Sequence, residues 1–155
     1  MLGAAAAKLG PGVALLAGGL PELPAQGPFD YVTCLNDVLN YVDAEELRPA
    51  LASLSGVLRR GGILVADTST LGMYRSFFAH DHVRARGEQL FVWSAGTSPD
   101  VGAGAIARAE LDVFTLAGDG RYERLHSEDV QRHHPEELMQ AAIEAAGLAV
   151  AGCYG

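Results

Sequence analysis

Between Gly27 and Asp67 the chain sets two short apolar runs on either side of one helix-spaced stripe, an order that few architectures accommodate. Gly27-Pro28 signals a turn, and Asp30 to Leu35 then reads as a short strand. Asp43 followed by Glu46 has capping-box spacing, and Leu47, Leu51, Leu54 and Leu58 fall on one helix face. Arg59 and Arg60 suit the negative end of that helix, and Gly61-Gly62 is its expected stop. Pro49 lies beyond the first turn of a helix starting at Asp43, which predicts a kink or a later start. Ile63 to Asp67 reads as a second buried strand ending in a polar residue. Strand, helix and strand in this compass form a right-handed βαβ unit with parallel strands.

The flanking pattern extends this α/β reading. Met1 to Leu9 is Ala-rich and stops at Gly10-Pro11, as a short helix does; Gly12 to Ala17 reads as a buried strand and Gly18 to Gly27 as a loop. Met73 to Gly87 reads as helical or irregular and carries Arg75, His80, Asp81, His82, Arg84 and Arg86. Three extended segments follow, Gln89 to Ser94, Ala105 to Leu116 and Tyr122 to His133. Turn signals around Gly96 and Gly118-Asp119-Gly120 make them hairpin-linked and antiparallel. Pro135 opens a last helix with Leu138, Ala142, Ala145 and Ala146 on one face, Gly147 ends it, and Leu148 to Tyr154 reads as a closing strand. Residues 1–155 read as a single domain, with 89–133 as the antiparallel insert.

Charge narrows the partners. With 155 residues and a net charge of −8, the chain lacks the basic balance of a nucleic-acid binder or an anionic-membrane binder. Cys34 and Cys153 are far apart and in expected strands, a thiol pattern and not a disulfide framework. Met1 to Ala25 lacks the basic start of a signal peptide, and no apolar run approaches the ~20 residues of a membrane span, so the expected location is cytoplasmic. His80, His82 and His126 lack ligand-like spacing, and no metal site is expected.

Asn36, Asp37, Asn40 and Tyr41 cluster where the first of the two parallel strands should end. In open α/β sheets that is where ligands bind. The competing reading makes Asp37 and Asn40 turn caps. His133 and His134 precede the last helix and offer a base near neutral pH, or else a surface pair in which His134 caps the helix. Trp93 lines either an acceptor pocket or a hairpin core, and Arg75, Arg84 and Arg86 either meet an anionic acceptor or form a solvated helix face.

The run Gly27-Pro28-Phe29-Asp30-Tyr31-Val32-Thr33-Cys34-Leu35-Asn36-Asp37-Val38-Leu39-Asn40-Tyr41-Val42 resembles the fourth-strand motif of class I S-adenosylmethionine-dependent methyltransferases of the small-molecule type. Leu58-Arg59-Arg60-Gly61-Gly62-Ile63-Leu64-Val65-Ala66-Asp67 resembles that family's "L-x-P-G-G" turn and fifth strand, with Arg60 in place of Pro. Pro135-Glu136-Glu137-Leu138 and Ala145-Ala146-Gly147-Leu148 resemble its late helix. The resemblance implies a partial Rossmann-like methyltransferase sheet with an antiparallel insert before the last helix. It also implies S-adenosylmethionine as cofactor and a small-molecule N or O acceptor. Carried over residue by residue, it places Gly19, Leu20, Cys34, Leu35 and Asn36 at the cofactor, and Asp37, Asn40, Tyr41 and His133 at methyl transfer.

The departures from the family are specific. No Gly-x-Gly-x-Gly precedes a helix, no acidic residue stands ready for the ribose hydroxyls, and Gly19 occupies the position of an adenine-side Asp. The sequence resembles an internal piece of a methyltransferase, in which transfer is impaired. The rival expectation is a non-catalytic module acting in binding or dimerisation. An unpaired sheet edge implies either a homodimer that covers it or a marginally folded chain.

Overall fold

A computed structural model describes residues 2–24 and 26–155. The expected βαβ unit is present. Strand β1 (Phe29–Cys34) leads through a 3-10 helix (Val38–Tyr41) to helix α2 (Leu47–Gly56), and strand β2 (Leu58–Ala66) returns parallel to β1, after the N-terminal helix α1 (Leu2–Leu9). Pro49 is the third residue of α2, inside the first turn where a missing N–H costs nothing; the helix starts late and does not kink. The capping expected of Asp43 is absent. Its carbonyl accepts from the N–H groups of Glu46 and Leu47, while its carboxylate binds Arg132 at 3.0 Å.

Leu58 to Gly62 corrects the sequence reading. The helix ends at Gly56, and these residues belong to β2, where the register jumps from Phe29↔Leu58 to Tyr31↔Ile63. Gly61 sits at φ +78° in this irregularity, and a Cβ on Gly62 would come within 3.1 Å of the Asp30 carbonyl. Left-handed glycine ends helices and forms bulges equally well, so the pair marks a break without naming its kind.

Helix α3 (Leu71–Ser76) is followed by strands β3 (His82–Arg86), β4 (Gln89–Ala95), β5 (Ile106–Leu116) and β6 (Tyr122–Arg132), paired in that order as an antiparallel meander. The sheet therefore starts before the expected insert. His82 to Arg86 pairs with β4 from His82↔Trp93 to Arg86↔Gln89, so Arg84 and Arg86 stand on a strand and not on a helix face. Helix α4 (Glu136–Ala145) follows as expected, with Gly147 at φ +73° just past its end.

Two segments expected as strands are not strands. Residues 12–17 and 148–154 find no ladder in either sheet, and Val13, Leu16, Val150 and Tyr154 are exposed. Cys153 therefore lies outside any strand, whereas Cys34 closes β1. Among the described residues no helix is long and apolar enough to cross a membrane.

Two cores result. Leu47, Leu51 and Leu54 of α2 pack with Cys34, Leu39 and Ala142, and Val32 and Leu64 of the parallel pair lie against them. Tyr74 and Phe78 pack with Ala107 and Ala109 of β5, beside Trp93 and Val101. The helices cover only one face of the parallel pair, since Tyr31, Ile63 and Val65 are 57%, 59% and 38% exposed. Parallel strands are ordinarily covered on both faces. Leu51→Ala should cost about 2–5 kcal/mol in urea unfolding, whereas Ile63→Thr on the open face should change stability by less than about 0.5 kcal/mol.

Candidate functional site

The site is built where β1 and β2 end side by side. After Cys34 the backbone turns sharply, with Asn36 and Asp37 both left-handed at φ 66° and 57°. Asn and Asp are the non-glycine residues that tolerate this region best, which accounts for the residue types at the turn. Asp67, just past β2, holds the turn. Its Oδ2 accepts from the Asn36 N–H at 3.1 Å and its Oδ1 from the Asp37 N–H at 3.0 Å. The Asp67 N–H in turn donates to the Cys34 carbonyl at 3.2 Å.

A cleft of about 470 Å³ opens beside this turn, and Gly19, Leu20, Cys34, Leu35 and Asn36 all line it, with Thr33. The five residues that the resemblance assigns to the cofactor thus line one concave surface, within the size range of small-ligand sites. Burial pushes the Cys34 thiol above its usual range, and the Asp67 charge adds to the effect, so Cys34 presents a neutral thiol.

The other predicted residues divide. Tyr41 donates to Asp129 Oδ1 at 2.8 Å and accepts from Gln131 Nε2 at 3.1 Å. Tyr74 donates to Gln131 Oε1 at 3.4 Å, and Asn40 Nδ2 donates to the Tyr74 hydroxyl at 3.0 Å. A continuous polar chain therefore runs from Asp129 to Asn40. Burial raises the Asp129 carboxyl above its usual range; the Tyr41 hydrogen bond opposes this, and the Asp37 charge reinforces it. Burial likewise raises Tyr41 and Tyr74, with Asp37 among the contributing charges, which places Asp37 electrostatically within the same group. Asp37 makes no side-chain cap on the 3-10 helix, so the capping alternative does not describe its carboxylate.

Asn40 is the inner end of the chain. It is 1% exposed, and its amide also donates to the Arg132 carbonyl at 2.8 Å and accepts from the Ser69 N–H at 2.8 Å. Its three polar bonds position Tyr74 and β6. His133 meets the group only through the edge of the Tyr74 ring, at 6.1 Å between centroids, and its Nδ1 accepts from the Gly104 N–H at 3.2 Å. That bond leaves the proton of neutral His133 on Nε2. Burial lowers its pKa, and His134 and Arg75 lower it further.

His134 is not a surface cap. It is 7% exposed and donates from Nε2 to the Leu39 carbonyl at 2.9 Å, while Pro135 takes the position before α4. Trp93 lies in the hairpin core, 5.0 Å from both the Phe77 and Phe78 rings. Arg75 donates to the Val101 carbonyl at 2.9 Å. No group of three His, Cys, Asp or Glu among the described residues could hold a metal.

Asp67, Asp129 and Gln131 are the residues that sequence reasoning missed. For Asp67 the signal was present, because the ends of two neighbouring parallel strands must converge. For Asp129 it was weaker, resting on which residues of β6 share a face with Ala107 and Ala109.

No known family profile matches the chain, and no curated protein matches it. Solved structures do. CalS10, an amino pentose methyltransferase from Micromonospora echinaspora, is 25% identical over 94% of this chain and 61% of its own, with a TM-score of 0.68. The sugar N-methyltransferase KedS8 from Streptoalloteichus is 23% identical over 93% of this chain and 57% of its own, at 0.70. An S-adenosylmethionine-dependent methyltransferase from Clostridium acetobutylicum is 19% identical over 84% and 52%, at 0.71. The fold is that of the class I S-adenosylmethionine-dependent methyltransferases, and this chain spans between about half and three-fifths of these relatives' lengths.

The raised Asp129 carboxyl gives a signed test. A folded-state pKa above the unfolded value contributes stability that is complete below about pH 4 and lost as pH rises through the raised value. Asp129→Asn should therefore raise the thermal midpoint relative to wild type at pH 7. The difference should vanish near pH 4, as followed by circular dichroism melts across that range.

Proposed function

We propose that this chain forms the acceptor side of an S-adenosylmethionine-dependent methyl transfer to a small-molecule nitrogen or oxygen acceptor. The observation that carries the reading is the turn after β1. Asn36 lines the cleft, and the next residue, Asp37, opens the 3-10 helix whose Tyr41 donates to Asp129. Methyl transfer depends chiefly on holding the nucleophile in line with the sulfonium, and two adjacent sites sharing one turn suit that requirement. Bound in the cleft, S-adenosylmethionine supplies an electrophilic methyl group.

The apolar wall of the cleft, with Leu20 and Leu35, and the polar Asn36 and Thr33 fit a ligand of mixed character. Asp37 and Asp129 would accept hydrogen bonds from an amine or hydroxyl, and their negative field favours an amine. Asp129, whose carboxyl burial raises above its usual range, would accept a proton from a protonated amine through Tyr41 or directly. That CalS10 is an amino pentose methyltransferase and KedS8 a sugar N-methyltransferase supports the same acceptor class. A cytoplasmic location goes with the proposal.

A second reading has its own observation. The exposed Tyr31, Ile63 and Val65 face suits a module that works in binding or as a homodimer. Calorimetric titration with S-adenosylhomocysteine separates the two. Micromolar binding that weakens at least tenfold in Asn36→Ala supports the enzyme reading, whereas a folded chain giving no heat favours the binding module.

A further inference from the structure

We propose that Asp67 is the positioning residue of the site, fixing the turn through which the cofactor cleft and the acceptor group are joined; this rests on the methyl-transfer reading above. Two consecutive non-glycine residues in the left-handed region are costly, and they persist only where the surroundings hold them. Here the holding contact is a single carboxylate that takes the N–H groups of both residues, at 3.1 and 3.0 Å. Successive N–H groups turned toward one point form a concavity that favours a negative charge, and Asp67 supplies that charge from the neighbouring strand.

The geometry gives this contact a consequence for ligand binding. In the left-handed conformation Asn36 reaches the cleft, and Asp37 opens the 3-10 helix that carries Tyr41 to Asp129. If either residue relaxed to an ordinary helical or extended conformation, the direction of every following side chain up to the 3-10 helix would change. Cys34 and Leu35 belong to the same segment, since the Asp67 N–H also holds the Cys34 carbonyl. Asp67 has no place in the cleft lining and touches neither Tyr41 nor Asp129, so its influence passes through the turn. A charge-assisted hydrogen bond is roughly twice as strong as a neutral one, and an amide in place of the carboxylate keeps one acceptor and turns a donor toward the other N–H.

The test combines a spectroscopic and a binding readout on the full chain. Left-handed residues give an intense intraresidue cross-peak between the amide and α protons. Asn36 and Asp37 should both show it in wild type. Asp67→Ala should abolish it at both, and Asp67→Asn, the variant less prone to unfold, should abolish it at one at least. In the same variants the dissociation constant for S-adenosylhomocysteine should rise about tenfold or more, while Asp30→Ala, which removes another exposed strand carboxylate, leaves it unchanged. Cross-peaks that survive loss of Asp67 overturn the proposal. So does loss of the cross-peaks with unchanged affinity, since the turn would then not serve the site. Wild-type protein that binds no S-adenosylhomocysteine refutes the methyl-transfer reading instead. The cross-peaks alone then decide whether Asp67 holds the turn.

Discussion

The buried amide of Asn40 joins the two halves of this structure. The parallel pair and its helices form one core, the antiparallel meander and α3 form another, and few apolar contacts link them. Asn40 stands between the two, bonded to Tyr74 from α3, to the Arg132 carbonyl at the end of β6 and to the Ser69 N–H after β2. A buried polar group without partners is expensive, so each bond selects the arrangement that supplies all three. His134 adds a fourth link, from the start of the last helical segment to Leu39. Relative placement of the halves is therefore specified by directional bonds, which locate groups more sharply than apolar packing alone.

The geometry of the Tyr41–Asp129 group inherits this specification. Tyr41 adjoins Asn40 in the 3-10 helix, and Asp129 and Gln131 lie on β6 just before Arg132. Fixing Asn40 against Arg132 therefore brings Tyr41 within 2.8 Å of Asp129. A phenol, a carboxylate and a carboxamide from sequence-distant elements are brought together beside one buried residue that is itself closed to solvent. The asymmetry between Asn40 and Asp37 follows: one has both polar atoms of its side chain engaged, while the other's carboxylate makes no cap.

Much of this was legible in the residues, and the failures share a cause. The leucine stripe of α2, the βαβ order, the hairpins from Gln89 to Arg132 and helix α4 follow from local periodicity and turn chemistry, which a sequence displays directly. The apolar runs at 12–17 and 148–154 have the composition of strands, but a strand is made by its neighbour, and these found none. Gly61-Gly62 marked a break and left its type open. For the site, the clustering past β1 was visible because those residues are contiguous. Asp67 and Asp129 act across 31 and 88 positions, and only strand register reveals such pairs. Asn40 stood out as polar past a strand end, and its burial, with bonds to Tyr74, Arg132 and Ser69, is visible only in the fold.

The placement of the two sheets also bears on how the chain reaches this state. Each strand of the meander pairs with its sequence neighbour, across two residues between β3 and β4, ten between β4 and β5 and five between β5 and β6, so its contacts close short loops at little entropic cost. The parallel pair must wait for α2 to bridge β1 and β2, and the Asn40 bond to Arg132 spans 92 positions. Pairing between sequence neighbours costs less loop-closure entropy than the polar junction does. The groups proposed for chemistry sit at that junction, where contacts close some of the longest loops in the chain.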